Sequence, residues 1–286
     1  MQHCDCEIPF RNLCLCPCPC PEDLDIWAPP IMAKTSKACL KVASKACNPR
    51  GSKPSRRRFK IYKKKELTGS TLAKYKATLS LTEEQKDVII GTLLGDSTMG
   101  LRDQQRLYSL KFEQKGKNVN YMNHLYEIME PYVGTPPQYR KGLSYQGEIQ
   151  SSWFRTYRHD HFIFYSNLFY RVGEINGKKV GIKIVPQNIH KVLNARVLAY
   201  WFMDDGTLSG DQYYLSTQSF QKHEVTRLSV ALKECFGIKS SVHKDNKYWR
   251  LYIRSESNRV FEDLVTPYLH ETFFYKIRAA YRPKKI

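Results

Sequence analysis

The chain has 286 residues, with 46 Lys+Arg against 27 Asp+Glu and a formal charge of +19. That imbalance calls for a polyanionic partner, while 42% hydrophobic content supplies a real core and excludes a merely basic, disordered tail. No apolar run approaches the roughly 18 residues of a membrane span, so no membrane partner is expected.

Charge and cysteine are unevenly spread. Residues 1–32 carry Arg11 against five acidic residues, whereas residues 33–80 carry fifteen basic residues against Glu66. Eight of the nine cysteines lie between Cys4 and Cys47, and only Cys235 belongs to the remainder. Their Cys-x-Cys spacing is not the paired Cys-x-x-Cys of zinc sites, so zinc is not expected. Residues 1–80 show no sustained hydrophobic period, and the alternating prolines of Cys14–Pro21 forbid regular helix. This segment reads as a disordered basic extension. Its composition fits an organelle transit segment, a basic arm or upstream read-through, with Met32 as an alternative start.

Order is expected from Leu81. Thr82 and Gln85 form a capping box, with Glu83 and Glu84 in the first turn of a helix running to Asp96. A strand over Tyr108–Gln114, a helix over Val119–Tyr132 and two strands between Pro137 and Tyr157 follow. His161–Tyr170 is helix-like, and Gly173–Lys179 reads as a polar connector. The pattern then restarts. Asn194 caps a helix through Arg196–Asp204, stopped by Gly206. Tyr213–Gln218 is a strand and Lys222–Phe236 a helix ended by Gly237. Ile238–His243 and Tyr248–Arg254 are strands, and Asn258–Leu269 is a helix. His159-Asp-His161 lacks the spacing of a helical ligand pair and reads as a cap or core feature.

The restart is a duplication of about a hundred residues per copy. It gives an α+β reading with an extension over 1–80, a first unit over 81–190 and a second over 191–286. Each unit offers one Asp, one Gln and one Lys in the same order: Asp96, Gln114 and Lys183, then Asp205, Gln218 and Lys276. A carboxylate at a helix C-terminus faces the negative end of the dipole. Two such sites in one basic chain suggest a cation between them. Gly91 and Gly95, four apart on one helix face, would let the two helices approach closely. Asp96 and Asp205 then supply hard oxygen ligands suited to Mg²⁺, for in-line phosphodiester hydrolysis. Lys183 and Lys276 would stabilise developing phosphorane charge or lower the pKa of the attacking water. Gln114 and Gln218 would orient waters or contact DNA. Asp204, adjacent to Asp205, is expected to face solvent or the helix end, because neighbouring residues do not share a helix face. Outward side chains of the strands suit a DNA groove. The candidates are Lys111, Arg140, Lys141, Arg155, Arg158, Lys239, Lys244, Lys247, Arg250 and Arg254.

Ile89–Ser97 and Leu198–Gly206 resemble the two motifs of single-chain LAGLIDADG homing endonucleases, and are most similar to intron-encoded endonucleases of organellar ribosomal RNA genes. The resemblance covers roughly residues 80–280, including Leu215–Phe220 and Tyr268–Lys276. It implies two pseudo-symmetric αββαββα units whose antiparallel sheets form a saddle over double-stranded DNA with a long asymmetric target site. It further implies cleavage of both strands across the minor groove with Mg²⁺, Mn²⁺ being able to substitute, by a monomer. Asp96 and Asp205 fall on the motif aspartates, and Lys183 and Lys276 on the basic residues near the active site. The setting implied is an organelle, the chloroplast or alternatively the mitochondrion. Ser97 replaces the usual Gly, and Tyr200 and Asp204 stand where small residues often sit. The alternatives are a maturase acting on intron RNA and a non-cleaving DNA-binding protein.

Overall fold

The computed structural model describes residues 67–100, 107–141 and 149–283. The expected disordered extension lies outside the described residues up to residue 66. From Gly69 it is replaced by a helix, α1 (Gly69–Lys76). That helix is tied to the rest by the Tyr75 hydroxyl, which donates to Pro131 O at 2.9 Å, and by His159, whose Nε2–H donates to Lys76 O at 3.0 Å. His159 is thereby a fastening residue, and its Nδ1 accepts from His161 N at 3.1 Å. Asp160 Oδ1 accepts from His161 N at 2.9 Å as the cap of the helix that follows, while the ligand-capable atoms of His159, Asp160 and His161 lie within 4.8 Å of one another.

Two four-stranded antiparallel sheets follow, in each of which the fourth strand in sequence lies between the second and the third. The first half runs α2 (Glu83–Leu94), β1 (Thr98–Met99), β2 (Leu110–Lys115), α3 (Val119–Met129), β3 (Gln138–Lys141), β4 (Ile149–Arg155) and α4 (His161–Phe169). The second runs α5 (Ala195–Asp205), β7 (Gly206–Ser209), β8 (Gln212–Ser216), α6 (Lys222–Phe236), β9 (Ser240–Asp245), β10 (Tyr248–Ile253) and α7 (Asn258–Val265). Each half is therefore αββαββα, and both sheets are wired alike.

Local chemistry accounts for the helix ends. The Thr82–Gln85 capping box closes through reciprocal bonds of 3.1 Å. Asn194 Oδ1 accepts from Val197 N at 2.9 Å to start α5. Gly237, at φ +68°, ends α6 in the left-handed conformation. Helices α2 and α5 are buried almost all round, with Val88–Leu94 and Val197–Met203 inside. They are the central pair of the core.

The polar connector expected at Gly173–Lys179 is instead a hairpin of β5 (Tyr170–Ile175) and β6 (Lys178–Lys183). Its turn is Asn176-Gly177, both at positive φ, which is the two-residue turn that matches strand twist. The dipeptide was readable in the sequence as a hairpin signal. The expected strand Tyr213–Gln218 is also shorter, since β8 ends at Ser216 and leaves Gln218 beyond the ladder.

Candidate active site and nucleic-acid face

Close packing of α2 on α5 brings the two motif aspartates together. A Cβ on Gly91 would lie 2.6 Å from Tyr200 Cβ and 2.7 Å from Val197 O, so only glycine fits that crossing. Helix α2 ends at Leu94, one residue before Gly95, and Asp96 projects just past it. Helix α5 ends at Asp205, and Gly206 leaves it directly into β7 with extended backbone (φ −81°, ψ 152°), where a Cβ would meet the Phe202 ring at 1.9 Å. The glycine stop is thus a strand entry and not a left-handed cap.

Asp96 and Asp205 both line two adjoining cavities, of about 350 and 520 Å³. The first also holds Gln114, Lys115, Thr207 and Lys276; the second holds Gln218, Thr98 and Lys183. Lys183 closes β6 and donates to Gly95 O at 2.7 Å. Lys276 closes a 3₁₀ turn over Glu271–Lys276 and donates to Met203 O at 2.6 Å. Each lysine therefore satisfies a carbonyl at the end of a motif helix, where a cation is favoured.

The charges in this recess are under stress. Burial, then the facing Asp96 carboxylate, pushes Asp205 up to about 7. Burial also raises Asp96, opposed by the Gln114 hydrogen bond and by Lys183 and Lys276. Burial lowers Lys183 and Lys276 to about 8 each, against the pull of the nearby aspartates. No protein donor reaches the Asp205 carboxylate among the described residues, so it is short of partners in a crowded place.

Asp204 corrects an expectation. It neither faces solvent nor idles at the helix end. It points across the helix pair into the first half, where it accepts from Asp96 N at 3.2 Å, Gln114 Nε2 at 3.1 Å and Tyr121 OH at 3.2 Å. Burial, then Asp96 and Asp205, raises it well above the usual carboxylate range. The sequence carried a signal for this: Gly95 occupies the same motif position in the first copy, and a Cβ there would meet Asp204 Cβ at 2.5 Å. One motif presents a side chain and the other makes room for it.

The two glutamines are not equivalent. Thr98, two residues after Asp96, pairs with Lys111, and Thr207, two residues after Asp205, pairs with Tyr214. Lys111 thus matches Tyr214, Gln114 matches Thr217, and Lys115 matches Gln218. Aligning the two strands on glutamine slips the register by one residue and exchanges faces. Gln114 is buried and donates to Asp96 Oδ2 at 3.0 Å. Gln218 is exposed and reaches only the second cavity. By the same pairing Trp153 matches Arg250. Lys115, at the first-cavity position matching Gln218, was missed on this account.

Strand alternation sorts the basic candidates. In the first sheet Leu110, Phe112 and Phe154 face the core. Lys111, Arg155, Arg140 and Lys141 fall on the opposite face, with Lys111 and Arg140 paired to Glu113. In the second sheet Arg250 is on the corresponding face, ion-paired with Asp245 at 2.8 Å. Lys239 and Arg254 extend that row beyond the strand ends, and Lys247 sits in the β9–β10 turn. Lys244 does not belong with them. It pairs with Trp249, on the side of Val242 and Leu251 that α6 covers. Arg158 lies past the end of β4, off the sheet.

Two like-wired sheets with basic outer faces, flanking a recess of paired carboxylates at the ends of two crossed helices, define a two-motif LAGLIDADG protein. The chain belongs to the LAGLIDADG DNA endonuclease family, whose model matches residues 86–261. It is 27% identical over 212 residues to the DNA endonuclease I-ChuI of Chlamydomonas applanata, covering 70% of this chain and 96% of that protein. It is 30% identical over 231 residues to "Probable intron-encoded endonuclease 1" of Wickerhamomyces canadensis, covering 76% and 96%. It is also 30% identical over 203 residues to the cytochrome b mRNA maturase bI2 of Debaryomyces hansenii, covering 69% and 74%. Among solved structures, the homing endonuclease I-WcaI bound to its DNA recognition sequence matches with a TM-score of 0.65 at 27% identity, covering 76% of this chain and 99% of that one.

Proposed function

We propose that this chain is a site-specific endonuclease of intron-homing type that cuts both strands of double-stranded DNA by metal-assisted hydrolysis. The observation that carries this is the convergence of Asp96 and Asp205 on two shared cavities, one holding the buried Lys276 and the other the half-buried Lys183. Residues 81–190 and 191–286 then act as the two units, within a monomer, and one cavity serves each strand.

The donor set fits a hard divalent cation. Burial raises both carboxylates, Asp96 raises Asp205 further, and among the described residues no protein donor relieves Asp205. Asp96 and Asp205 would hold Mg²⁺, with Mn²⁺ able to substitute. An ion held there would supply Lewis-acid polarisation of a phosphodiester oxygen and a more acidic water. The chain's own groups do the rest. Gln114, held at both ends by Asp96 and Asn118, presents a fixed amide to the first cavity. Lys183 and Lys276, still protonated at neutral pH, place positive charge beside the carboxylates, where a pentavalent phosphorane would develop negative charge. Lys111, Arg140, Lys141, Arg155 and Arg250 would track phosphates and base edges along the outer faces. The I-WcaI complex supports double-stranded DNA as the partner. The chain's similarity to a probable intron-encoded endonuclease and to a cytochrome b mRNA maturase, with its basic, hydroxyl-rich segment 33–80, supports an organellar setting, chloroplast or mitochondrion.

The test is to select a cleavable site from a randomised DNA library in Mg²⁺, then compare the parent with Asp205→Asn on a plasmid carrying that site. The parent should linearise it while the variant binds without cutting; a variant that cuts at the parental rate overturns the assignment. The similarity to the Debaryomyces hansenii maturase favours a second reading, binding of intron RNA to assist splicing. A splicing-assistance assay beside the plasmid assay separates the two activities.

A further inference from the structure

We propose that Asp204 is a positioning residue that braces one of the two cavities more than the other, so that its loss uncouples cutting of the two DNA strands. The inference rests on the nuclease reading above. Asp204 belongs to α5 in the second half, yet all three donors it accepts from, Asp96 N, Gln114 Nε2 and Tyr121 OH, belong to the first half. Among the described residues Gln114 is the one glutamine that touches a motif aspartate, and its amide is held from the far side by Asn118 Nδ2, which donates to Gln114 Oε1 at 3.1 Å. Removing Asp204 frees one of the anchors that aim this amide at Asp96.

Nothing reciprocates in the other direction. The residue matching Asp204 is Gly95, which has no side chain, and a Cβ there would collide with Asp204 itself. The residue matching Gln114 is Thr217, whose hydroxyl donates to Trp249 O at 2.7 Å and not to a carboxylate. Asp204 lines the cavity of Gln114 and Lys276, and it is absent from the lining of the cavity of Gln218 and Lys183. Both Asp204 oxygens are already engaged by protein donors, whereas among the described residues Asp205 has none; this fits Asp204 to aiming its neighbours and leaves the ligand role to Asp205. The pseudo-symmetric pair of cavities is thereby built with one braced side and one unbraced side.

The experiment uses the full chain and a duplex bearing the selected site, with each strand labelled separately. Asp204→Ala should slow the strand cut in the Gln114 cavity by roughly 10–100-fold, as loss of a supporting partner commonly does, and leave the other strand and DNA affinity within about threefold. Nicked duplex should accumulate. Gln114→Ala should bias the same strand, and the double variant should add little. Equal slowing of both strands, or opposite biases for the two single variants, overturns the inference. A parent that cuts no library member overturns the nuclease reading instead. Thermal unfolding of the same four proteins then reads the Asp204–Gln114 pairing without cleavage: non-additive Tm shifts are expected, and additive shifts overturn it.

Discussion

Replacing Gly91 with alanine puts a methyl carbon 2.6 Å from Tyr200 Cβ, 2.7 Å from Val197 O and 3.3 Å from Trp201 N. Two of these atoms are helix backbone and cannot swing aside. Ordinary carbon contacts begin near 3.5 Å, so the two motif helices must separate by about 1 Å at the crossing. Overpacking of this kind costs about 1–3 kcal/mol, and a contact with backbone belongs at the upper end. Alanine returns about 1 kcal/mol through its better helix propensity. A net loss of about 2 kcal/mol corresponds to a fall in Tm of about 4–8 °C for a folded region of this size. The functional effect should be larger, because a misplacement of about 1 Å in a reacting constellation can slow chemistry by roughly a hundredfold. Calorimetry and plasmid cleavage by Gly91→Ala measure the two effects side by side. An unchanged Tm with cleavage within about twofold of the parent would refute the close crossing on which the site is built.

Other outcomes follow from the same geometry. In metal-free protein the Asp205 pKa of about 7 exceeds its unfolded value, so the folded state binds more protons between about pH 4 and 7. Stability from this group should therefore fall as pH rises through that window, by at most about 4 kcal/mol. Asp205→Asn should flatten the slope measured by chemical denaturation; an unchanged slope would refute the assignment. Arg278 pairs with the fully buried Glu262 through bonds of 2.6 and 2.7 Å, and Tyr213 donates to the same carboxylate. Arg278→Ala should destabilise the fold by about 3–5 kcal/mol, the usual effect of stranding one member of a buried pair. On the DNA face, Arg155→Ala and Lys115→Ala should each lower the salt-dependence slope of binding by about 1, while Lys244→Ala leaves it unchanged. Equal effects from all three would contradict the assignment of faces.

Much of the fold was legible because the local signals agreed with the tertiary outcome. The Thr82–Gln85 box, the Asn194 cap and Gly237 mark helix ends wherever they occur, and the repeated apolar periods lay over the helices that formed. The motif aspartates were legible because a carboxylate at a helix end is costly and recurs here in register. What was misread depended on alignment between the halves. Gln114 and Gln218 share a residue type, but backbone pairing sets equivalence, and the buried Phe112 and Leu215 fix it one residue away. Lys115 was hidden by that slip, and Lys244 fell on the wrong face because the parity of β9 is set by its pairing with β10. Asp204 was misjudged by treating α5 as an isolated helix. Its environment is created by the Gly95 gap just past the end of α2, 109 residues earlier, where the missing Cβ leaves room for an intruding carboxylate. The β5–β6 hairpin is announced by Asn176-Gly177, but the polar composition of its strands reads equally as a connector.

The central claim is that Asp96 and Asp205 converge to hold a divalent cation over a scissile phosphate. The most direct measurement is a crystal structure of the protein with its selected DNA site and Mn²⁺, with the ion located by anomalous scattering. The account predicts anomalous peaks within about 2.0–2.6 Å of oxygens from these two carboxylates, beside a backbone phosphate in the adjoining cavities. Peaks elsewhere, or carboxylates that diverge with no ion near either, would contradict it.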